Sequence, residues 1–120
     1  MNLNNDSLNT FASTEDDVQF DGAASYNLSQ NSYSRINTKI MCVNQSAKKM
    51  ASLQIDALVR RGSSSCTIVS NVVSSVIGDD ELSGVSASLS VVGGSIMINV
   101  TGLVETVLDW CVQFSISKVN

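Results

Sequence analysis

Apolar and polar residues alternate along most of the chain after about residue 25. From Met50 to Arg61 apolar residues recur at every second position, and from Val85 to Val91 they alternate with serine. A period of two places the apolar side chains on one face of a strand and the polar side chains on the other. Both segments therefore predict strands with one buried face.

Other segments are rich in β-branched residues, which favour strands. Strands are predicted there over residues 33–43, 66–77, 96–100 and 106–119, with a bulge or break at Ser70-Asn71. Gly93 and Gly94 separate two alternating runs, which is typical of a tight hairpin because glycine tolerates the positive φ of such turns.

Six or seven short strands without an amphipathic helix predict an all-β fold, either an antiparallel β-sandwich or a jelly-roll-like domain. A helix over residues 47–59 is the chief alternative. The sequence around Ala47 favours that helix, whereas the alternation that follows favours a strand.

Residues 1–24 differ from the rest of the chain, because they show neither a helical nor a strand period. They predict an extended acidic N-terminal arm, followed by a β-sandwich domain over residues 25–120. An arm of this composition is mobile when alone. Its isolated apolar side chains, Phe11, Val18 and Phe20, are therefore expected to contact a partner subunit.

The composition excludes several kinds of chemistry. The chain has 120 residues, enough for one domain with a modest core, and it contains no histidine. The Ser-His-Asp and Cys-His nucleophile systems and all histidine-containing metal sites are therefore absent. We expect no catalytic residues, no cofactor and no enzyme activity.

Charge and hydropathy also limit the partners. The net charge is −4, and the acids of the first 34 residues are accompanied by no base, which argues against nucleic acid as a partner. No apolar run is long enough to cross a membrane and no secretion signal follows Met1. Cys42, Cys66 and Cys111 are expected to be free thiols, with one disulfide and a leftover thiol as the alternative.

Several residues are of types that can bind ligands or take part in catalysis. Asp79, Asp80 and Glu81 favour a solvated turn over a calcium site, because successive acids lack the spacing of calcium loops. Asp56 and Asp109 favour structural roles over a hydrolytic carboxylate pair. Trp110 shares its strand face with apolar residues and is expected in a core or subunit contact rather than on a sugar-stacking surface.

Two other groups suggest subunit contacts. Arg60 and Arg61 are adjacent in a strand, so they are expected on opposite faces of the sheet, one of them pairing with an acid of a neighbouring subunit. The segment over residues 72–77 has more apolar side chains than one buried face requires, which favours burial of Val72, Val73 and Val76 against a neighbouring subunit. The serine-rich strand faces fit either solvent or a polar subunit contact.

The order of several segments resembles a known family. The strand from Ser32 to Ile40 is followed by Arg60-Arg61-Gly62, then by Val100-Thr101-Gly102, and finally by the strand from Thr106 to Trp110. In this order they resemble the β-sandwich C-terminal domain of tailed-bacteriophage virion proteins, such as head and tail fibre proteins. The resemblance covers roughly residues 25–119.

The resemblance implies a structural protein of the virion, assembled in the host cytoplasm, and favours a homotrimer. Only about 24 residues precede the matching region, so a long shaft is not expected. The resemblance therefore suggests a capsid decoration or head-fibre protein that binds a major capsid or tail protein through its arm. The alternative is a tail-fibre tip or a receptor- or glycan-binding module.

Overall fold

The computed structural model describes residues 3–120, and the side chains from Asp6 onward. It contains nine strands and one short 3-10 helix, Asp80–Leu82. The strands are β1 Leu3–Thr14, β2 Gln19–Asn27, β3 Ser32–Asn44, β4 Lys49–Arg61, β5 Cys66–Val73, β6 Ile77–Gly78, β7 Ser86–Val92, β8 Ser95–Thr101 and β9 Leu108–Val119.

The strands form two antiparallel sheets that pack as a sandwich. The larger sheet has the order β1-β9-β3-β4-β5, with β6 also paired to β4, and the smaller sheet has the order β2-β8-β7. The expected all-β sandwich is thereby confirmed. Residues 47–59, for which a helix is the alternative prediction, lie mostly in the strand β4. Alternate side chains of this strand, from Ala51 to Val59, are buried.

The core lies between the two sheets because each sheet turns its apolar positions inward. In the larger sheet these positions belong mainly to β3, β4 and β9, and in the smaller sheet to β8. The largest fully buried side chains are Trp110, Phe114, Leu28, Ile36, Ile40, Ile55, Leu82, Ile96, Ile98, Leu108, Ile116 and Val100. Trp110 is 1 % exposed, as its position among apolar residues predicted.

The described part of the predicted N-terminal arm, residues 3–24, lies mainly in two strands. Leu3–Thr14 forms the edge strand β1 and pairs with β9 from Leu3–Val119 to Thr14–Leu108. The proposed boundary between residues 24 and 25 falls inside β2. The backbone ladder with β9 holds this polar segment extended, although its side chains show no clear period.

The predicted strand over residues 66–77 is shorter in the structure and is followed by a separate short strand. β5 ends at Val73, and β6 begins at Ile77. The register of β4 and β5 shifts between Leu58 and Val59, so the bulge lies at Val69, just before the predicted Ser70. Bulges of this kind bend a strand and increase its local twist.

The molecule is elongated along its strands, with extents of 49 × 21 × 20 Å. One end contains the start of β3 and the end of β9, because Tyr33 pairs with Val119. The opposite end contains the end of β1 and the start of β9. Within residues 3–120 no helix is long and apolar enough to cross a membrane.

Candidate interaction surfaces

The outward face of the larger sheet carries large apolar side chains on its edge strand and neighbouring strands. Phe11 of β1 is directly opposite Cys111 of β9, which is in turn opposite Met41 of β3. Phe11 is 77 % exposed, and Met41 and Met50 are also exposed. We call Phe11, Cys111 and Met41 the outer apolar cluster. Clusters of this kind typically mark interaction surfaces.

A groove lies on the same outward face, at the end where β3 begins. It has a volume of about 620 Å³ and is lined by residues of β3, β4, β5 and β9: Tyr33, Ser34, Arg35, Leu58, Val59, Arg60, Val69, Ser117, Lys118 and Val119. We call this set the groove. Its volume lies within the range typical of ligand-binding clefts.

The strand register explains how the groove forms. Tyr33 is opposite both Arg60 and Val119, and Arg35 is opposite Leu58, so outward side chains of three strands meet there. Val69 at the β5 bulge adds an apolar side chain beside them. The result is an apolar surface with an aromatic ring, Tyr33, that is 61 % exposed.

Three of the residues that line the groove are basic: Arg35, Arg60 and Lys118. Arg35 is 3.6 Å from Asp56, and the ammonium of Lys118 donates to the hydroxyl of Ser29 at 3.0 Å. Neither of the two ion pairs found among the described side chains involves Arg60. Arg60 is therefore available to bind an external carboxylate or another anion.

Charge is distributed unevenly along the molecule. The end at which β3 begins carries two acids, Asp6 and Asp56, but four basic residues: Arg35, Arg60, Arg61 and Lys118. The opposite end carries Lys48 and Lys49 but a larger number of acids: Glu15, Asp16, Asp17, Asp79, Asp80, Glu81, Glu105 and Asp109. One end is therefore basic and the other acidic.

The turn between β1 and β2, together with the first two residues of β2, lies at the acidic end and is exposed. We call residues 15–20 the acidic tip; they contain three acids, Val18 and Phe20. The backbone N–H of Val18 donates to Asp16 Oδ1 at 3.0 Å, which fixes the turn. Val18 is 68 % and Phe20 42 % exposed. The tip thus presents acids and apolar side chains together.

The structure places the arginine pair as predicted. Arg60 is exposed on the outward face, in the groove, whereas Arg61 points the other way, toward the backbone of Gly94. The Arg61 side chain donates to the carbonyl of Gly62. Their predicted pairing with a neighbouring subunit remains a prediction.

The valines that are predicted from the sequence to contact a neighbouring subunit lie away from the centre of the groove. Val72 and Val73, near the end of β5, are exposed, whereas Val76 is half-buried against the core. Ile77, beside them in sequence, is also exposed. Their burial against a neighbouring subunit likewise remains a prediction.

The structure does not bring Asp56 and Asp109 together. Asp56 pairs with Asn37 and Asp109 with Val43 on β3, so they are offset by six positions along that strand. This offset corresponds to roughly 20 Å. Glycosidase carboxylates lie about 5 to 10 Å apart, so these two residues do not form such a pair.

Asp56 instead has structural partners. The side-chain amide of Asn37 donates to Asp56 Oδ1 at 3.0 Å. This hydrogen bond, with a smaller contribution from the positive charge of Arg35, lowers the pKa of Asp56 from its ordinary value. The lowered pKa indicates a carboxylate held in its ionised form.

The acidic residues 79–81 have partners within the chain. Asp79 Oδ2 accepts a hydrogen bond from the backbone N–H of Met50 at 2.9 Å, and Glu81 lies 3.6 Å from Lys49. No group of three or more potential metal ligands is found among the described side chains. The acids thus connect the turn to the start of β4.

The three cysteines are free thiols in different environments. Cys42 and Cys66 are buried, and Cys111 lies half-buried in the outer apolar cluster. Burial raises the pKa of Cys42 to about 11 and also raises the pKa of Cys66. The expectation of free thiols is met in this structure.

Sequence reasoning missed most of the groove. Tyr33, Leu58 and Val119 are apolar or aromatic residues at outward positions of alternating strands. That placement is a usable signal, since outward positions are ordinarily polar. Only the cross-strand register, however, shows that these side chains meet.

No protein family matches this sequence, and no curated protein matches it either. Among solved structures, the fold is similar to the tailspike protein of Acinetobacter baumannii phage AM24, with a TM-score of 0.46 and 8 % identity. The similarity covers 92 % of this chain. The chain matches only 26 % of the length of the tailspike chain.

Proposed function

We propose that the chain is a non-enzymatic structural subunit of a bacteriophage virion, of the capsid decoration or head-fibre type. It is assembled in the host cytoplasm, forms a homotrimer and attaches to a major capsid or tail protein through residues 1–24. The phage assignment rests on the sequence resemblance over residues 25–119. The role in assembly is supported by the outward face of the larger sheet.

The observation that carries the assembly role is the exposure of Phe11 within the outer apolar cluster. Phe11 belongs to the segment proposed for attachment. A phenylalanine that is 77 % exposed beside other apolar side chains exposes apolar surface that a partner would remove from water.

The backbone of β1 supports the same role. β1 is twelve residues long and pairs with β9 on one side; within residues 3–120 no strand pairs with its other side. A long edge strand is a template for pairing with another chain. We propose that an extended segment of the shell protein adds to this edge and packs against Phe11.

The decisive measurement is whether the chain is part of the particle. Antibody against the chain should label intact virions from the producing cells in electron micrographs, and the chain should co-sediment with them. A Phe11→Ser variant should lose this association, whereas Val92→Ser, which removes an exposed valine from the smaller sheet, should keep it. A chain absent from purified particles would make the proposal wrong.

A test by deletion of residues 1–24 is unsuitable, because these residues include β1 and the first part of β2. Removing them would expose β9 and β8 to water as new sheet edges. Point variants of exposed residues keep both sheets intact and therefore test attachment separately from folding.

The alternative is a tail-fibre tip or a receptor- or glycan-binding module, which the exposed ring of Tyr33 in the groove favours. It predicts that the isolated chain binds cell-surface polysaccharide and that Tyr33→Ala abolishes this binding. Clear particle labelling together with no signal on a glycan array would eliminate it.

A further inference from the structure

We propose that the groove binds the acidic tip of a second copy of this chain, so that copies associate head to tail. This inference goes beyond attachment to a virion, because it uses neither the outer apolar cluster nor the edge of β1. It concerns two other surfaces, which lie at opposite ends of the same molecule.

The groove is chemically suited to an acidic peptide with apolar side chains. Its apolar surface is formed by residues such as Leu58, Val69 and Val119, and Arg60 lies beside that surface. Apolar contact supplies most of the affinity in such clefts, while cations orient an acidic ligand. A purely apolar or a basic ligand would leave Arg60 without an anionic partner.

The acidic tip has the complementary chemistry. Glu15 and Asp17 take part in neither of the ion pairs found among the described side chains. Val18 and Phe20 expose apolar surface within the same short segment. The tip therefore offers carboxylates and apolar side chains to the groove at once.

Two local hydrogen bonds order the tip. Asp16 accepts the backbone N–H of Val18, and the side-chain amide of Gln19 donates to Asp21 Oδ1 at 2.6 Å. A segment that is ordered before binding loses less conformational entropy on docking. This local order favours the tip over a disordered acidic segment as the ligand.

A chain cannot place its own tip in its own groove. The groove includes Val119, and the tip follows Thr14, which pairs with Leu108 at the other end of β9. The length of β9 separates these ends by roughly 37 Å. Contact between the two surfaces therefore requires a second copy.

Contact between two different surfaces of identical chains is heterologous. Such contacts close into a ring when the rotation between copies permits closure and otherwise extend into a filament. A ring of three copies would agree with the trimer proposed above. The inference itself fixes the contacting surfaces rather than the number of copies.

Charge reversal tests the contact. We expect the full chain to self-associate in sedimentation velocity, with weaker association in high salt because the contact pairs opposite charges. Arg60→Glu in the groove and Asp17→Lys in the tip should each raise the dissociation constant at least about tenfold. Circular dichroism verifies that each variant is folded.

Matched controls separate local from overall charge effects. Lys39→Glu has the same charge change as Arg60→Glu and lies on the same outward face, outside the groove. Asp80→Lys changes an acid that is also at the acidic end but lies beside β6. β6 pairs with β4, and β9 and β3 separate β4 from β1. Both controls should associate like the unaltered chain.

Mixing gives the sharpest outcome. The Arg60→Glu and Asp17→Lys variants should each be largely monomeric, yet a mixture should associate, because the unaltered tip of the first variant fits the unaltered groove of the second. A chain that carries both changes should likewise associate by itself. Association of the mixture requires that two different surfaces meet, and association of the doubly changed chain requires that Arg60 and Asp17 face each other between copies.

Three results would overturn the inference. One is a chain that remains monomeric at about 1 mM. Another is a trimer insensitive to both reversals, which would leave the proposed virion role intact while removing the head-to-tail contact. The third is loss of polysaccharide binding in Arg60→Glu without any change in mass, which would identify the groove as a glycan site.

Discussion

The indole Nε1 of Trp110 donates a buried hydrogen bond of 2.8 Å to the hydroxyl of Thr14. Trp110 lies on β9, and Thr14 is the last residue of β1. The bond supplies the only hydrogen-bonding group of the indole with an acceptor inside the core. It also ties the edge strand to its neighbour through side chains, in addition to the backbone ladder.

Replacing Thr14 by valine should therefore destabilise the protein. Thr14→Val keeps the shape of the side chain but leaves the indole N–H of Trp110 buried without an acceptor, at a cost of about 1 to 3 kcal/mol. Urea unfolding followed by tryptophan fluorescence measures this change. Thr67→Val, at an exposed position of β5, should change stability by less than about 0.5 kcal/mol.

The same replacement of threonine by valine should stabilise the protein at Thr38. The Thr38 hydroxyl is buried and finds no hydrogen-bond partner among the described residues. Thr38→Val removes a desolvated polar group without leaving a partner unsatisfied, so stability should rise by about 1 kcal/mol. A decrease in the urea midpoint would show that the hydroxyl has a partner.

Gly102 should not tolerate a side chain. A Cβ at this position would lie 2.6 Å from Thr14 Oγ1 and 2.9 Å from the carbonyl oxygen of Asp16. Gly102→Ala should destabilise the protein by about 1 to 3 kcal/mol, since the backbone must move. Gly62→Ala is the control, because its Cβ would meet only ordinary contacts, at 3.7 Å.

The three thiols should differ in reactivity. At pH 8 a disulfide reagent should modify the half-buried Cys111 first and Cys42 last, because Cys42 is buried and its pKa is raised to about 11. Mass spectrometry of digested protein gives the order. Modification of Cys42 as fast as Cys111 in folded protein would contradict the burial described here.

Asp56 should titrate below its ordinary pKa. The amide of Asn37 and the charge of Arg35 favour its ionised form, so carbon-detected NMR should give a midpoint below 3.8. A lowered folded-state pKa contributes stability that is present above about pH 4 and is lost as the pH falls through the folded value. Asn37→Ala should raise the midpoint toward its ordinary value.

Much of the sandwich follows from local pattern. The alternation from Met50 to Arg61 and the Gly93-Gly94 turn predicted β4 and the β7–β8 hairpin because burial on one face requires a period of two. β1 could not be predicted in this way. Its position depends on a ladder with β9, far away in sequence, and most of its side chains from Asp6 to Thr14 are exposed.

Only part of the candidate interaction surfaces could be predicted from the sequence. Phe11, Val18 and Phe20 could be chosen because apolar residues in a polar, acidic segment are conspicuous in sequence. The groove depends on which outward residues of β3, β4 and β9 lie side by side. A shift of one residue in register would turn these side chains to the other face.

The position of β9 between β1 and β3 has a consequence for synthesis on the ribosome. β1 and β3 emerge early, but the strand that joins them is made last among the three. Until β9 emerges, neither β1 nor the nearer side of β3 has its native neighbour. Such long-range pairing slows folding and prolongs the exposure of unpaired strands. The nascent chain therefore passes through a period in which shielding by chaperones would limit misassembly.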